Sequence, residues 1–75
     1  MSPAQCRAAR ALLNWSQEDL GRAANVNKMT VANSETSRFA AREDTVEAIT
    51  RALLNAGITF LRGDAGEEGV WKEGT

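Results

Sequence analysis

Through the first three quarters of the chain the apolar residues recur at helical spacing. Ala4, Ala8, Ala11, Leu12 and Trp15 form one stripe of a helix over about Ala4 to Asn14, with Gln5, Arg7 and Arg10 on the remaining surface. Trp15-Ser16-Gln17-Glu18-Asp19-Leu20 then reads as a fresh helix start. Ser16 caps it, and Asp19 three residues later completes a capping box, with Asp where Glu or Gln is usual. Trp15 and Leu20 hold the two positions of a hydrophobic staple. Gln17 takes the first helical position, beside unpaired N–H groups that favour an anion.

This second helix ends near Ala24, because Asn25 tolerates positive φ and stops helices. Asn27 caps a third helix over about Lys28 to Glu35. Two short helices separated by three or four residues make a helix-turn-helix arrangement. A loop of Thr36 to Arg42 leads to a fourth helix, about Glu43 to Ala56, with Val46, Ile49, Leu53 and Ala56 on one stripe. Glu47 and Arg51 form an i, i+4 pair on its outside, and Gly57 supplies the stop. Ile58 to Arg62 is rich in strand formers, Gly63 to Gly69 is a turn-rich connector, and Val70-Trp71-Lys72 reads as a second short strand. A lone two-stranded ribbon is marginal in water, so this hairpin must lean on the helices or pair with another subunit.

Composition narrows the class. Seventy-five residues make one domain, and 43% apolar with 25% charged residues is the balance of an ordinary globular protein. A chain of this size buries only about 60% of its unfolded surface and often gains stability from a second subunit. No apolar run approaches a membrane span. The first residues lack the basic and apolar stretches of a signal peptide, and the single cysteine, Cys6, fits a reducing compartment, so a cytoplasmic location is expected. The net charge of −1 is unevenly spread. Residues 1–62 hold eight basic against six acidic side chains, a net of +2, while residues 63–75 hold Lys72 against Asp64, Glu67, Glu68 and Glu73. The body is mildly basic and the tail acidic.

Catalysis has little to work with. Histidine and tyrosine are absent, so the commonest general base is missing. One cysteine does not make a metal site, and Cys6 on an Ala-rich helix reads as a small apolar filler. The Gly63–Gly69 segment lacks the Gly-Lys-Ser/Thr of a phosphate loop. An enzyme is not expected, nor any cofactor or metal.

Gln5 to Phe60 resembles the Cro/phage-repressor (XRE-type) helix-turn-helix family. The likeness lies in Arg10, Ser16-Gln17-Glu18-Asp19-Leu20, Ala23-Ala24, Val26, Thr30-Val31 and Glu35. Ala52 to Phe60 looks like a bacterial subgroup whose helices are followed by a short strand segment. The resemblance implies a mainly α fold: a compact four-helix helix-turn-helix domain over residues 1–57, with a C-terminal β-hairpin or strand segment and acidic tail over 58–75 as part of the same domain. It implies that Lys28, Met29 and Asn33 face DNA base edges, and that Gln17, Arg38 and Arg42 contact phosphates. Arg10 and Glu35 stand where the family pairs two helices.

The implied function is a sequence-specific transcriptional regulator, a repressor or autoregulator of the kind found on phages and mobile elements. It would bind an inverted repeat in double-stranded DNA as a homodimer, with the hairpin at Ile58–Trp71 as dimer contact. The sequence also departs from the family: Ser34 replaces a large apolar residue, Ser37 and Asn25 replace glycines, and Phe39 is an aromatic in a loop. These departures and the acidic tail motivate an alternative, a protein-binding antiactivator that keeps the fold and inhibits another transcriptional regulator. Its interface would draw on Met29, Phe39, Ile58, Phe60 and Trp71.

Overall fold

The computed structural model describes residues 1–36 and 42–74. Four helices, α1 (Pro3–Leu13), α2 (Gln17–Ala24), α3 (Lys28–Thr36) and α4 (Glu43–Asn55), precede an antiparallel hairpin of β1 (Ile58–Arg62) and β2 (Glu68–Lys72). Ser37, Arg38 and Phe39 lie outside the described residues.

The helix ends follow local chemistry. Ser2 and Ser16 each accept a hydrogen bond from the N–H three residues on, and the side chains of Gln5 and Asp19 bond back to the cap N–H groups. Asp19 therefore closes the box from the position where glutamate or glutamine is usual. Asn14 and Asn25 end α1 and α2 in the left-handed conformation, at φ 56° and 60°. Gly57, at φ 96°, turns the chain from α4 into β1, and its carbonyl accepts from Glu73 N–H at 2.8 Å.

The core joins all four helices to the first strand: Cys6 and Ala9 from α1, Leu20 from α2, Val31 from α3, Ile49, Ala52 and Leu53 from α4, and Ile58 from β1. Trp15 contributes only in part, packing half-buried against this cluster. The stripe expected on α1 is displaced: Ala4, Ala8, Ala11 and Leu12 are exposed, and Gln5, Cys6 and Ala9 face inward. Gln5 is placed inside because its amide has long-range partners. Its Nε2 donates to Leu61 O at 3.1 Å and Gly69 O at 3.0 Å, tying α1 to both strands at one level.

The second strand starts two residues earlier than expected, at Glu68, because the turn is tight. Gly63 N–H donates to Glu67 O, and Gly66, at φ 89°, bonds back to Gly63 O. Pairing then runs from Arg62 opposite Glu68 to Ile58 opposite Lys72. Ile58, Phe60 and Val70 face the helices, which is how this short ribbon is stabilised. No helix among the described residues is long and apolar enough to cross a membrane.

Gln5→Leu removes both bonds to the hairpin while keeping bulk. It is expected to destabilise the protein by about 1–2 kcal/mol in urea titration. Hydrogen exchange should speed up first at the amides of residues 58–62 and 68–72, with α2 and α3 still protected. Equal acceleration everywhere would deny Gln5 its anchoring role.

Candidate functional site

The surface singled out by the sequence is the start of α3, and the α2–α3 turn sets its direction. Val26 N–H reaches back to Gly21 O at 2.9 Å, and Asn25 N–H to Arg22 O at 3.3 Å. The chain passes so close to α2 that a Cβ on Gly21 would lie 2.7 Å from Val26 O. Only glycine fits there without a shift of main chain. Asn27 then opens α3, its Oδ1 accepting from the N–H and hydroxyl of Thr30 at 2.8 and 2.9 Å. Gly21 was readable as an oddity, a poor helix former inside a short helix, but not as a close approach.

With its start fixed, α3 turns Val31, Ser34 and Glu35 inward and leaves Lys28, Met29 and Asn33 exposed, Met29 at 67%. Ser34, the expected weak point, is buried and satisfied: its hydroxyl donates to Thr30 O at 3.0 Å. Of the three inward side chains only Val31 is apolar. Hydrophobic area therefore does little to hold this helix, and polar contacts must do more.

Those contacts converge on Glu35, 2% exposed. Arg10 Nε and Nη2 donate to its two carboxylate oxygens at 2.7 and 3.0 Å, a bidentate fork. Gln17 Nε2 donates to Oε1 at 3.1 Å and the Cys6 thiol to Oε2 at 3.4 Å. Arg7 donates to the Glu35 main-chain carbonyl, and Arg10 Nη1 also reaches Trp15 O at 2.9 Å. Burial pushes the Glu35 carboxyl up, but the hydrogen bonds from Arg10, Gln17 and Cys6 outweigh it and hold the group below its ordinary value. The hydrogen bond to Glu35 raises Arg10 in turn. Burial first, then the Glu35 charge, pushes the Cys6 thiol up to about 12, so it stays protonated and unreactive at neutral pH.

The other candidate residues divide. Gln17, Lys28 and Met29 come together with Asn27 and Ala32 around an apolar hollow of about 390 Å³. Asn33 is exposed one turn further along α3. Lys28 has no ion pair among the described residues, whereas Arg22 and Arg51 are each matched to carboxylates on their own helices. The amide of Gln17 is already committed to Glu35, so a phosphate there would meet main-chain N–H groups first. Arg42 lies elsewhere, 3.4 Å from Asp44 and beside Glu43 and Glu47, an acidic neighbourhood that disfavours a phosphate.

Two residues assigned to an interface are corrected. Ile58 is 2% exposed and part of the core, and Phe60 is half-buried against it. Both occupy the strand face that the helices cover. Trp71 is 54% exposed on the opposite face, together with Leu61 at 47%, which the sequence did not single out. The chain matches no protein-family model and no curated protein.

Arg10→Met strands a buried carboxylate and is expected to destabilise the protein by about 3 kcal/mol. The depressed Glu35 value also fixes a pH dependence. Its stabilisation is complete above the ordinary glutamate value of 4.5 and is lost as pH falls below that toward the folded-state value. Urea midpoints measured from pH 7 to pH 3 should therefore fall less steeply for Glu35→Gln than for the parent protein. Parallel curves would mean that Glu35 is not held ionised by its partners.

Proposed function

We propose that the chain is a sequence-specific DNA-binding transcriptional regulator of the helix-turn-helix kind, a repressor or autoregulator, with α3 as the helix that enters the major groove. The observation that carries this reading is the disposition of α3. Its inner side is held by a buried carboxylate, while Lys28 and Met29, just after a closely packed turn, and Asn33, a turn further on, stand exposed. Their chemistry suits base edges: Lys28 can donate to guanine O6 and N7, Asn33 can pair bidentately with adenine, and Met29 can touch a thymine methyl. The main-chain N–H groups of Gln17 and Glu18 at the start of α2 can meet a phosphate, against the opposing charges of Glu18 and Asp19 in the same turn. A symmetric pair of subunits would place two such helices on an inverted repeat.

The apolar hollow beside Met29 supports a second reading. An exposed, adaptable methionine next to a largely apolar recess suits a protein side chain better than a phosphate. In this reading the chain is an antiactivator that grips another transcriptional regulator through the same surface.

The deciding experiment is a gel-shift assay on the DNA upstream of the chain's own gene, at two salt concentrations and with competitor DNA. Retardation that survives competitor and weakens with salt is expected. Asn33→Ala should lose about 1–3 kcal/mol of discrimination at one base pair, whereas Lys28→Ala should reduce affinity and salt dependence together. Failure to shift any DNA at low salt would remove the DNA-binding reading and leave the second.

A further inference from the structure

The chain has one cysteine and two methionines, and its fold treats their sulfur atoms very differently. Cys6 is fully buried, and its thiol donates to Glu35 Oε2 at 3.4 Å. Burial and the Glu35 charge keep that thiol protonated, and a covered, protonated thiol is a poor nucleophile. Met1 packs half-buried against the core, with the Thr50 hydroxyl 3.9 Å from its sulfur. Met29 differs from both. It is 67% exposed in the first turn of α3, where it lines the apolar hollow.

An accessible cysteine ordinarily meets a peroxide first, through its thiolate, and methionine follows. This fold reverses the order, because the accessible sulfur is a thioether that has no proton to lose. We propose that Met29 is an oxidative modification site, taking one oxygen atom from a hydroperoxide ahead of Cys6 and Met1. The sulfur lone pair attacks the terminal peroxide oxygen, and an S–O bond forms as the O–O bond breaks. The proton of the attacked oxygen passes to the departing one. The thioether is oxidised by two electrons to the sulfoxide, and the peroxide is reduced to water, or to an alcohol where it is an alkyl hydroperoxide.

The product changes the outer face of α3 without loosening the helix. Around the hollow, Met29 and Ala32 are the apolar side chains, beside Gln17, Asn27 and Lys28. A sulfoxide is polar, accepts hydrogen bonds and donates none, so one oxygen atom removes most of the apolar character there. Arg10, Cys6 and the Glu35 carboxylate lie behind α3 and are untouched, so the helix keeps its place. Oxidation of Cys6 would instead break that buried cluster. Methionine sulfoxide reductases return the sulfoxide to the thioether as a dithiol is oxidised to a disulfide, so the change is reversible. The site stands on the exposure of the three sulfurs. Only its effect on DNA rests on the regulator reading, through the apolar contact that Met29 offers a thymine methyl.

Treating the full chain with hydrogen peroxide at neutral pH tests the proposal. Peptide mass spectra taken over time should show Met29 gaining one oxygen several-fold faster than Met1. The Cys6 thiol, titrated after unfolding, should stay intact. In urea the order should invert, with Cys6 reacting first. Amide shifts on full oxidation should centre on residues 27–33, with the circular dichroism unchanged. In the gel-shift assay the oxidised chain should bind about tenfold more weakly, and reductase treatment should restore it. Met29→Leu, whatever its own affinity, should be indifferent to peroxide. Loss of the Cys6 thiol from the folded chain as fast as Met29 reacts, or equal rates at the two methionines, would overturn the assignment. DNA affinity unchanged by full oxidation would overturn its effect on α3. A chain that shifts no DNA yet oxidises in this order keeps the site and loses the regulator reading alone.

Discussion

A single buried carboxylate organises the three N-terminal helices. Glu35 ends the inward face of α3, and its oxygens receive Arg10 and Cys6 from α1 and Gln17 from the first turn of α2. A charge at 2% exposure is tolerable only when every lone pair is engaged, and here the donors are provided. A buried ion pair of this kind adds little net stability compared with an apolar contact of equal volume. What it supplies is direction. A forked guanidinium meets a carboxylate in one plane, so α3 is fixed in rotation about its own axis as well as in position.

Rotation matters because the back of α3 offers little else to fix it. Val31 is its one fully buried apolar side chain, and Ser34 satisfies its hydroxyl within the helix. With a large apolar residue at Ser34, packing would hold the helix and the polar cluster would be an accessory. Here the cluster and the Gly21–Val26 close approach jointly determine where Lys28, Met29 and Asn33 project. The outward face of α3 therefore depends on residues that lie behind it or at its edge, not on that face itself.

Signals confined to a few neighbouring residues were legible in the sequence. Both asparagine and serine boundaries of α2, the Asn27 cap, the Glu47–Arg51 pair and the Gly57 stop all act within four residues, and each formed as the local chemistry dictates. The Arg10–Glu35 pair came from family likeness, since a separation of 25 residues carries no periodic signal. The inward face of α1 was misread because an alanine-rich helix has two faces of similar polarity. Gln5 decides between them, and its partners lie 56 and 64 residues away. The early start of β2 escaped for a related reason: Glu68 and Gly69 are poor strand formers, recruited by the register that the turn imposes.

The charge distribution bears on how this surface could work. Most of the arginines on the helices are spent internally, Arg10 on Glu35 and Arg22 and Arg51 on carboxylates of their own helices. That leaves Lys28 as the conspicuous cation on the α3 surface. If the partner is DNA, one subunit neutralises few phosphates, and the sequence-independent part of its affinity is correspondingly small. Two subunits held rigidly together change this, because the second half-site then binds at high effective concentration and the small contributions add. Under that condition, the less each subunit gains from phosphates, the more specific binding would depend on a symmetric partner. A protein ligand seated in the apolar hollow imposes no such requirement, and the oligomeric state at which binding occurs separates the two mechanisms physically.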